Sequence, residues 1–249
     1  DGQENTVSMT MTMMNHELLA DYTFKHILYE RKPIQTRDGG TIPDLCQVWI
    51  SLNNEAQLNS YTTDAVKEVI LALRRASCDR IATAVVLTAV GSKAFCTGGN
   101  TAEYATYYAN RPQEYLQYMR LFNDMITALL TCDKPVICRV NGMRIGGGQE
   151  IGMACDFSIS GDHARFGQAG PIHGSAPDGG STDFLHLYVG YAKAVESMVL
   201  CEQWSAHKAQ AIGLLNGLAP VYRLGGTYIA NPFVVTDPQL NSLGESAYG

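Results

Sequence analysis

Two short glycine-rich stretches, FCTGGN at residues 95–100 and GMRIGGGQE at 142–150, each follow an apolar strand-like run. Glycine lets the backbone approach a ligand closely and take angles closed to other residues. Two such turns can therefore aim bare peptide N–H groups at one developing negative charge. That arrangement is an oxyanion hole. The second stretch also runs into a helical pattern, QEIGMAC, whose positive N-terminal end favours the same anion. A glycine triplet alone suits a tight turn or close helix packing equally well, so the pairing of the two turns carries the reading.

Strands and helices must hold those turns in place. LCQVWISL (45–52) has alternating strand character, and Thr62 or Thr63 can cap a helix that runs through Ala76 with Ala65, Val66, Val69, Ile70 and Leu73 on one face. ATAVVLTAV then reads as a strand covered on both sides, and it feeds the first turn. An amphipathic stretch from Pro112 to Leu130 carries Leu116, Met119, Phe122, Met125, Ile126 and Leu129. Tyrosines and methionines at this spacing are more often core or oligomer contacts than a substrate box. PVICRV after Lys134 is the strand into the second turn, and further helical signals lie at 184–188, 192–201 and 206–215. Strands alternate with helices, which predicts an α/β fold. Residues 16–31 mix a helix-like acidic start with HILYE and are set off by the turn signal RDGG. The expected organisation is an N-terminal extension over 1–44, a core over 45–223 and a tail over 224–249.

Composition narrows the function classes. A chain of 249 residues with 46% hydrophobic content can form one sizeable core. With 24 acidic against 18 basic side chains the net charge is −6, which argues against a surface that tracks nucleic acid phosphates. Seven cysteines without a CxxC pair read as ordinary thiols in a reducing compartment, with no disulfide framework or zinc site indicated. The longest apolar run, Ile81 to Val90, is too short to cross a bilayer, and no export signal is visible. The expectation is a cytoplasmic protein with no nucleic acid or membrane partner.

The two turns in this order resemble the crotonase superfamily of acyl-CoA enzymes. The likeness runs from Gln47 to Tyr222 and includes NNEAQLNSYT (53–62), CDFSIS (155–160) and FGQAGPIHGSAPDGGSTDFL (166–185). The resemblance implies a spiral of repeated strand-strand-helix units with peripheral C-terminal helices, and a hole made by the amides of Gly99 and Gly147. It also implies coenzyme A contacts around Ala56, Gln57 and Leu58 and along Lys93, Thr97, Gly98 and Asn100. These contacts are largely made by backbone, and a lysine flanking a turn, as Lys93 does, is equally often only a surface residue. Superfamily hydratases place a water with two glutamates. Glu150 falls on the first position, Gly170 stands where the second would be, and Asp178 falls where other members carry a catalytic aspartate. Pro-Asp-Gly-Gly is also a good type I turn without chemistry. His173, in the same loop, is a candidate proton shuttle, while His163, His186 and His207 are weaker candidates and Gln168 reads as ordering the loop.

Within the superfamily the resemblance points to hydrolases that open a carbon ring in cyclic 3-oxoacyl-CoA thioesters of anaerobic benzoyl-CoA degradation. The alternatives are a dihydroxynaphthoyl-CoA synthase-like lyase, another enoyl-CoA hydratase, an RNA-binding homologue or a non-catalytic scaffold. The lyase branch shares the glycine at 170 but normally lacks a glutamate at 150, and the helix at 62–76 carries only Lys67, Arg74 and Arg75 for RNA. No metal and no separate cofactor are expected, coenzyme A being part of the substrate. A homotrimer, or a hexamer of stacked trimers, that is six chains, is implied. The chain starts without methionine and ends without the long helical pattern that usually closes a crotonase chain, so a missing C-terminal part or processing is expected.

Overall fold

The computed structural model describes residues 14–224 and 227–229. In chain order it forms β1 (Ile27–Gln35), β2 (Thr41–Leu52), α1 (Thr63–Cys78), β3 (Ala82–Ala89), β4 (Ala94–Cys96), the single turn α2 (Thr101–Glu103) and α3 (Pro112–Leu130). There follow β5 (Val136–Val140), β6 (Met143–Ile145), α4 (Gly147–Met153), β7 (Phe157–Gly161) and β8 (Arg165–Gly167). The last are α5 (His186–Val189), α6 (Tyr191–Leu200), β9 (Trp204–Ser205), α7 (Ala206–Ala211), β10 (Gly217–Ala219) and the pair β11 (Tyr222–Leu224) and β12 (Thr227–Ile229).

One six-stranded sheet has the order β1-β2-β3-β5-β7-β10, and a four-stranded sheet has the order β4-β6-β8-β9. Strands β2, β3, β5, β7 and β10 are parallel neighbours, and β4, β6 and β8 are parallel in the second sheet. Three strands of the long sheet each hand the chain to a short strand of the other sheet and then to helix: β3-β4-α3, β5-β6-α4, β7-β8-α6. The strand-strand-helix repeat expected from the resemblance is present in this order. It sets the two glycine turns side by side, because β4 and β6 pair and each ends at one of them.

The core lies between the long sheet and the α1–α3 layer. Val48, Ile50, Val85, Leu87, Val136 and Cys138 are buried, as central parallel strands require. Against them α1 places Val66, Val69, Leu73 and Ala76, and α3 places Phe122, Met125, Ile126 and Leu129. Each large apolar side chain fully buried here contributes roughly 1.5–3 kcal/mol. Helix α1 starts where the sequence puts it, with the Thr62 side chain accepting from the Ala65 amide. Pro112 opens α3, where its missing N–H costs nothing.

Three sequence expectations are corrected. The helix-like start near residue 16 forms turns, and HILYE enters β1, which pairs antiparallel with β2. Residues 27–44, placed in an extension, thus supply the edge strand β1 and the first residues of β2, and the boundary at 44 falls inside β2. In α3 Phe122, Met125, Ile126 and Leu129 are buried as expected, but at the start of the helix Leu116 is 46% exposed and Tyr118 only 3%.

Candidate functional site

Gly99 forms an isolated parallel bridge with Tyr61. The Gly98 carbonyl accepts from the Tyr61 amide at 3.0 Å, and the Asn100 amide donates to the Tyr61 carbonyl at 3.0 Å. Neighbouring peptide groups along an extended segment alternate in direction, so the Gly99 N–H points away from Tyr61. Gly147 opens α4, where its N–H has no intrahelical acceptor. The preceding Gly146 takes φ +58°, an angle that favours glycine. A Cβ on Gly98 would lie 3.1 Å from the Gly147 nitrogen, so the two turns are in contact. Two asparagines brace them. Asn59 donates to the carbonyls of Val90 and Ala94 at 2.9 and 2.8 Å, and Asn141 donates to those of Ala89 and Gly91 at 2.9 and 2.7 Å.

Gly99 and Gly147 line one cavity of about 230 Å³, together with Thr97, Gly98, Glu150, Gly170, His173 and Asp178. Glu150 stands on the first turn of α4 and is 6% exposed. Burial pushes its carboxyl up to about 7. The Ser181 hydroxyl and the amides of Gly179 and Ser181 act against that rise, and the nearby charge of Asp178 adds to it. The Gly179 amide donates to Glu150 Oε1 at 3.1 Å, and any side chain on Gly179 would collide with Glu150 and Phe122. Asp178 itself is exposed at the mouth, and His173 ends an exposed turn of four residues, Gly170–His173. Gln168 is buried and donates to the Ser181 hydroxyl, which ties the loop to the residue that also bonds Glu150 on α4.

The remaining candidates stand outside this cavity. Ala56 and Gln57 are exposed on the turn Glu55–Gln57, Leu58 follows in the left-handed region, and Lys93 is exposed. They lie along the same edge, since Thr97 Oγ1 donates to the Leu58 carbonyl at 3.4 Å. The Asn100 side chain serves the structure, accepting from the Glu103 amide at 2.9 Å and donating to Gln57 and Ser60. His163 bonds the carbonyls of Ser92 and Asn141, just before β4 and β6, and His186 and His207 are exposed on helices. Among the described residues no three of His, Cys, Asp and Glu form a metal-sized cluster, and no helix is long and apolar enough to cross a membrane.

The sequence reading missed the far wall. Tyr61, Tyr104, Tyr115, Tyr118, Met119 and Phe122 all line the cavity. Tyr115, Tyr118 and Met119, assigned by spacing to core or oligomer contacts, thus face the site as well. The run of tyrosines from Tyr104 to Tyr118, just after the first glycine turn, was the available signal.

The profile of the Enoyl-CoA hydratase/isomerase family matches residues 46–231. The chain belongs to that family. A solved family structure, an enoyl-CoA hydratase from Bacillus anthracis, superimposes with a TM-score of 0.70 at 27% identity, covering 79% of this chain and 70% of that one. A curated relative from Thauera aromatica, named 6-oxocyclohex-1-ene-1-carbonyl-CoA hydrolase, is 58% identical over 95% of this chain and 63% of its own length. Relatives of the same name from Geobacter metallireducens and Syntrophus aciditrophicus are 60% and 51% identical over 90% and 89% of this chain. The chain spans 58% of each of those two proteins, about six tenths of the length of the curated relatives it matches.

Proposed function

We propose that this family member opens the ring of 6-oxocyclohex-1-ene-1-carbonyl-CoA, adding two waters to give 3-hydroxypimelyl-CoA. The observation that carries the reading is one cavity holding the Gly99 and Gly147 turns, a buried Glu150 and the loop carboxylate Asp178, with Gly170 where a hydratase's second glutamate would stand. The names of the three relatives support the substrate.

The chemistry needs one hole and two carboxyls. The first water adds to the β carbon of the ring double bond, and the electron pair moves onto the thioester oxygen, where the Gly99 and Gly147 N–H groups hold the enolate. A proton on the α carbon completes hydration. The second water attacks the ring ketone. The bond between that carbon and the α carbon then breaks, and its electrons return to the same enolate before protonation. Glu150, with its carboxyl near 7, is suited both to take and to give a proton at neutral pH. Asp178 at the mouth is the second proton-transfer group. All electrons move between substrate and water, so the reaction draws on no redox cofactor, and in this reading the amides and carboxyls of the site act without a metal and coenzyme A enters only as part of the substrate.

The assembly and location belong to the same reading: a homotrimer, or a hexamer of two stacked trimers, in the cytoplasm and without nucleic acid or membrane partner. Exposed Leu187 on α5 and Tyr191, Val199 and Leu200 on α6 support contact between copies. The test is incubation of the purified chain with the cyclic thioester, followed by mass spectrometry. A ring-opened acid heavier by two waters is expected. A product that gains one water and stays cyclic would identify a hydratase instead.

A further inference from the structure

Three phenol hydroxyls crowd the two glycines of the hole. A side chain on Gly147 would strike Tyr61 Oη, and one on Gly99 would strike Tyr104 Oη and come within 2.7 Å of Tyr118 Oη. Tyr104 and Tyr118 share a hydrogen bond of 2.8 Å between their hydroxyls. Their rings meet edge to face at 5.4 Å, and Tyr115 packs against both, at 5.9 Å from each. The pair therefore stands in a fixed position beside Gly99. Two hydroxyls carry two donor hydrogens, and their mutual bond uses one. The other is left for an acceptor in the cavity that both residues line. Burial holds both phenols well above the ordinary tyrosine range, so each keeps its proton and donates.

A simple enoyl thioester presents one oxygen at this place, and the glycine amides already take it. A cyclic 3-oxoacyl thioester presents a second carbonyl, on the ring carbon next to the one that bears the thioester. A donor for that second oxygen must lie beside the hole rather than across the cavity, and Tyr104 Oη is the phenol oxygen nearest Gly99. We propose that Tyr104 donates a hydrogen bond to the ring carbonyl while Tyr118 fixes its hydroxyl, so that this pair selects cyclic 3-oxoacyl thioesters over thioesters without the ring ketone. The proposal rests on the ring-opening reading of the same site. It makes Tyr104 a substrate contact and Tyr118 a positioning residue. Beyond binding, the bond draws electrons from the ring carbonyl and favours attack by the second water.

The test compares two constants in each variant: kcat/KM for 6-oxocyclohex-1-ene-1-carbonyl-CoA, and the inhibition constant of cyclohex-1-ene-1-carbonyl-CoA, which lacks the ketone. Tyr104→Phe should lower the first by about tenfold or more and leave the second within about twofold, because of the two ligands only the one with the ketone loses a contact. Tyr118→Phe should lower the first by a smaller factor, again without moving the second. A Tyr104→Phe chain with unchanged kcat/KM overturns the proposal. So does one in which both constants worsen by the same factor, since that is the mark of a distorted hole. Wild-type chain that opens no ring at all overturns the reading of the site and takes the tyrosine proposal with it.

Discussion

The two carboxyls of the site sit in opposite settings. Glu150 is buried on α4, just past the glycine triplet that helps build the hole, and the Gly179 amide grips it at 3.1 Å. Asp178 is exposed on a loop whose anchors are side-chain bonds such as Gln168 to Ser181. One carboxyl is thus carried by a helix whose position the sheets dictate, and the other by a loop tied down at a few points. Acid and base roles divide where environments push two pKa values apart. Here burial does so for Glu150, which rises to about 7, while Asp178 faces the mouth.

The contrast is broken most severely at Glu150. Glu150→Gln should bind acyl-CoA nearly as well as wild type while turnover falls by about 10²–10⁴, because shape and hole survive and the proton transfer does not. The wild-type rate should show a limb near pH 7 that the variant lacks; a pH-rate series on both checks this.

Within the rigid wall itself, two glycines separate chemistry from packing. Gly147→Ala should cost about 10²–10³ in turnover, because the added Cβ would meet Tyr61 Oη and displace one donor to the oxyanion, whatever it also costs in stability. Gly152→Ala should act on stability instead. A Cβ there would lie 2.6–2.9 Å from the side chain of Arg144, which is fully buried and bonded to Gln149 and Ser158 at 2.8 Å each. Melting curves and kinetics on both variants separate the two losses.

A smaller effect follows from linkage. The folded carboxyl of Glu150 titrates near 7 and its ordinary value is 4.5, so between those values the folded chain holds a proton that the unfolded chain has released. Stability therefore falls as pH rises through that window, and above it the buried charge costs on the order of 3 kcal/mol. Glu150→Gln should have the higher Tm at pH 8, with the gap closing toward pH 5. An equal Tm at both pH values would mean that Glu150 is hydrated.

How much of this was legible in sequence depended on whether a local rule decided it. Helix α1 was readable from its Thr62 cap and its apolar period, and β3 and β5 from continuous apolar runs. The glycine turns were readable because backbone donors need glycine nearby. The tyrosine wall was not, since helical spacing shows that Tyr115 and Tyr118 share a face but not that the face borders a cavity. Asn100 shows a related limit: its position suggested coenzyme A, and only the structure shows that its side chain caps α2 and joins Gln57. Gly179 read only as part of the Pro-Asp-Gly-Gly turn because its partner, Glu150, lies 29 residues away in the chain. Long-range contacts of that kind leave no period to read.

The division of labour between the buried and the exposed carboxyl is tested most directly by single-turnover mass spectrometry on Asp178→Asn with the cyclic thioester. Hydration and ring opening share the Gly99 and Gly147 hole but need different proton transfers, so removing the loop carboxyl should slow ring opening more than hydration. The hydrated, still cyclic thioester should accumulate before any ring-opened acid forms. A variant that stops before hydration, or that opens the ring at the wild-type rate, would contradict the assignment and return Asp178 to a turn residue.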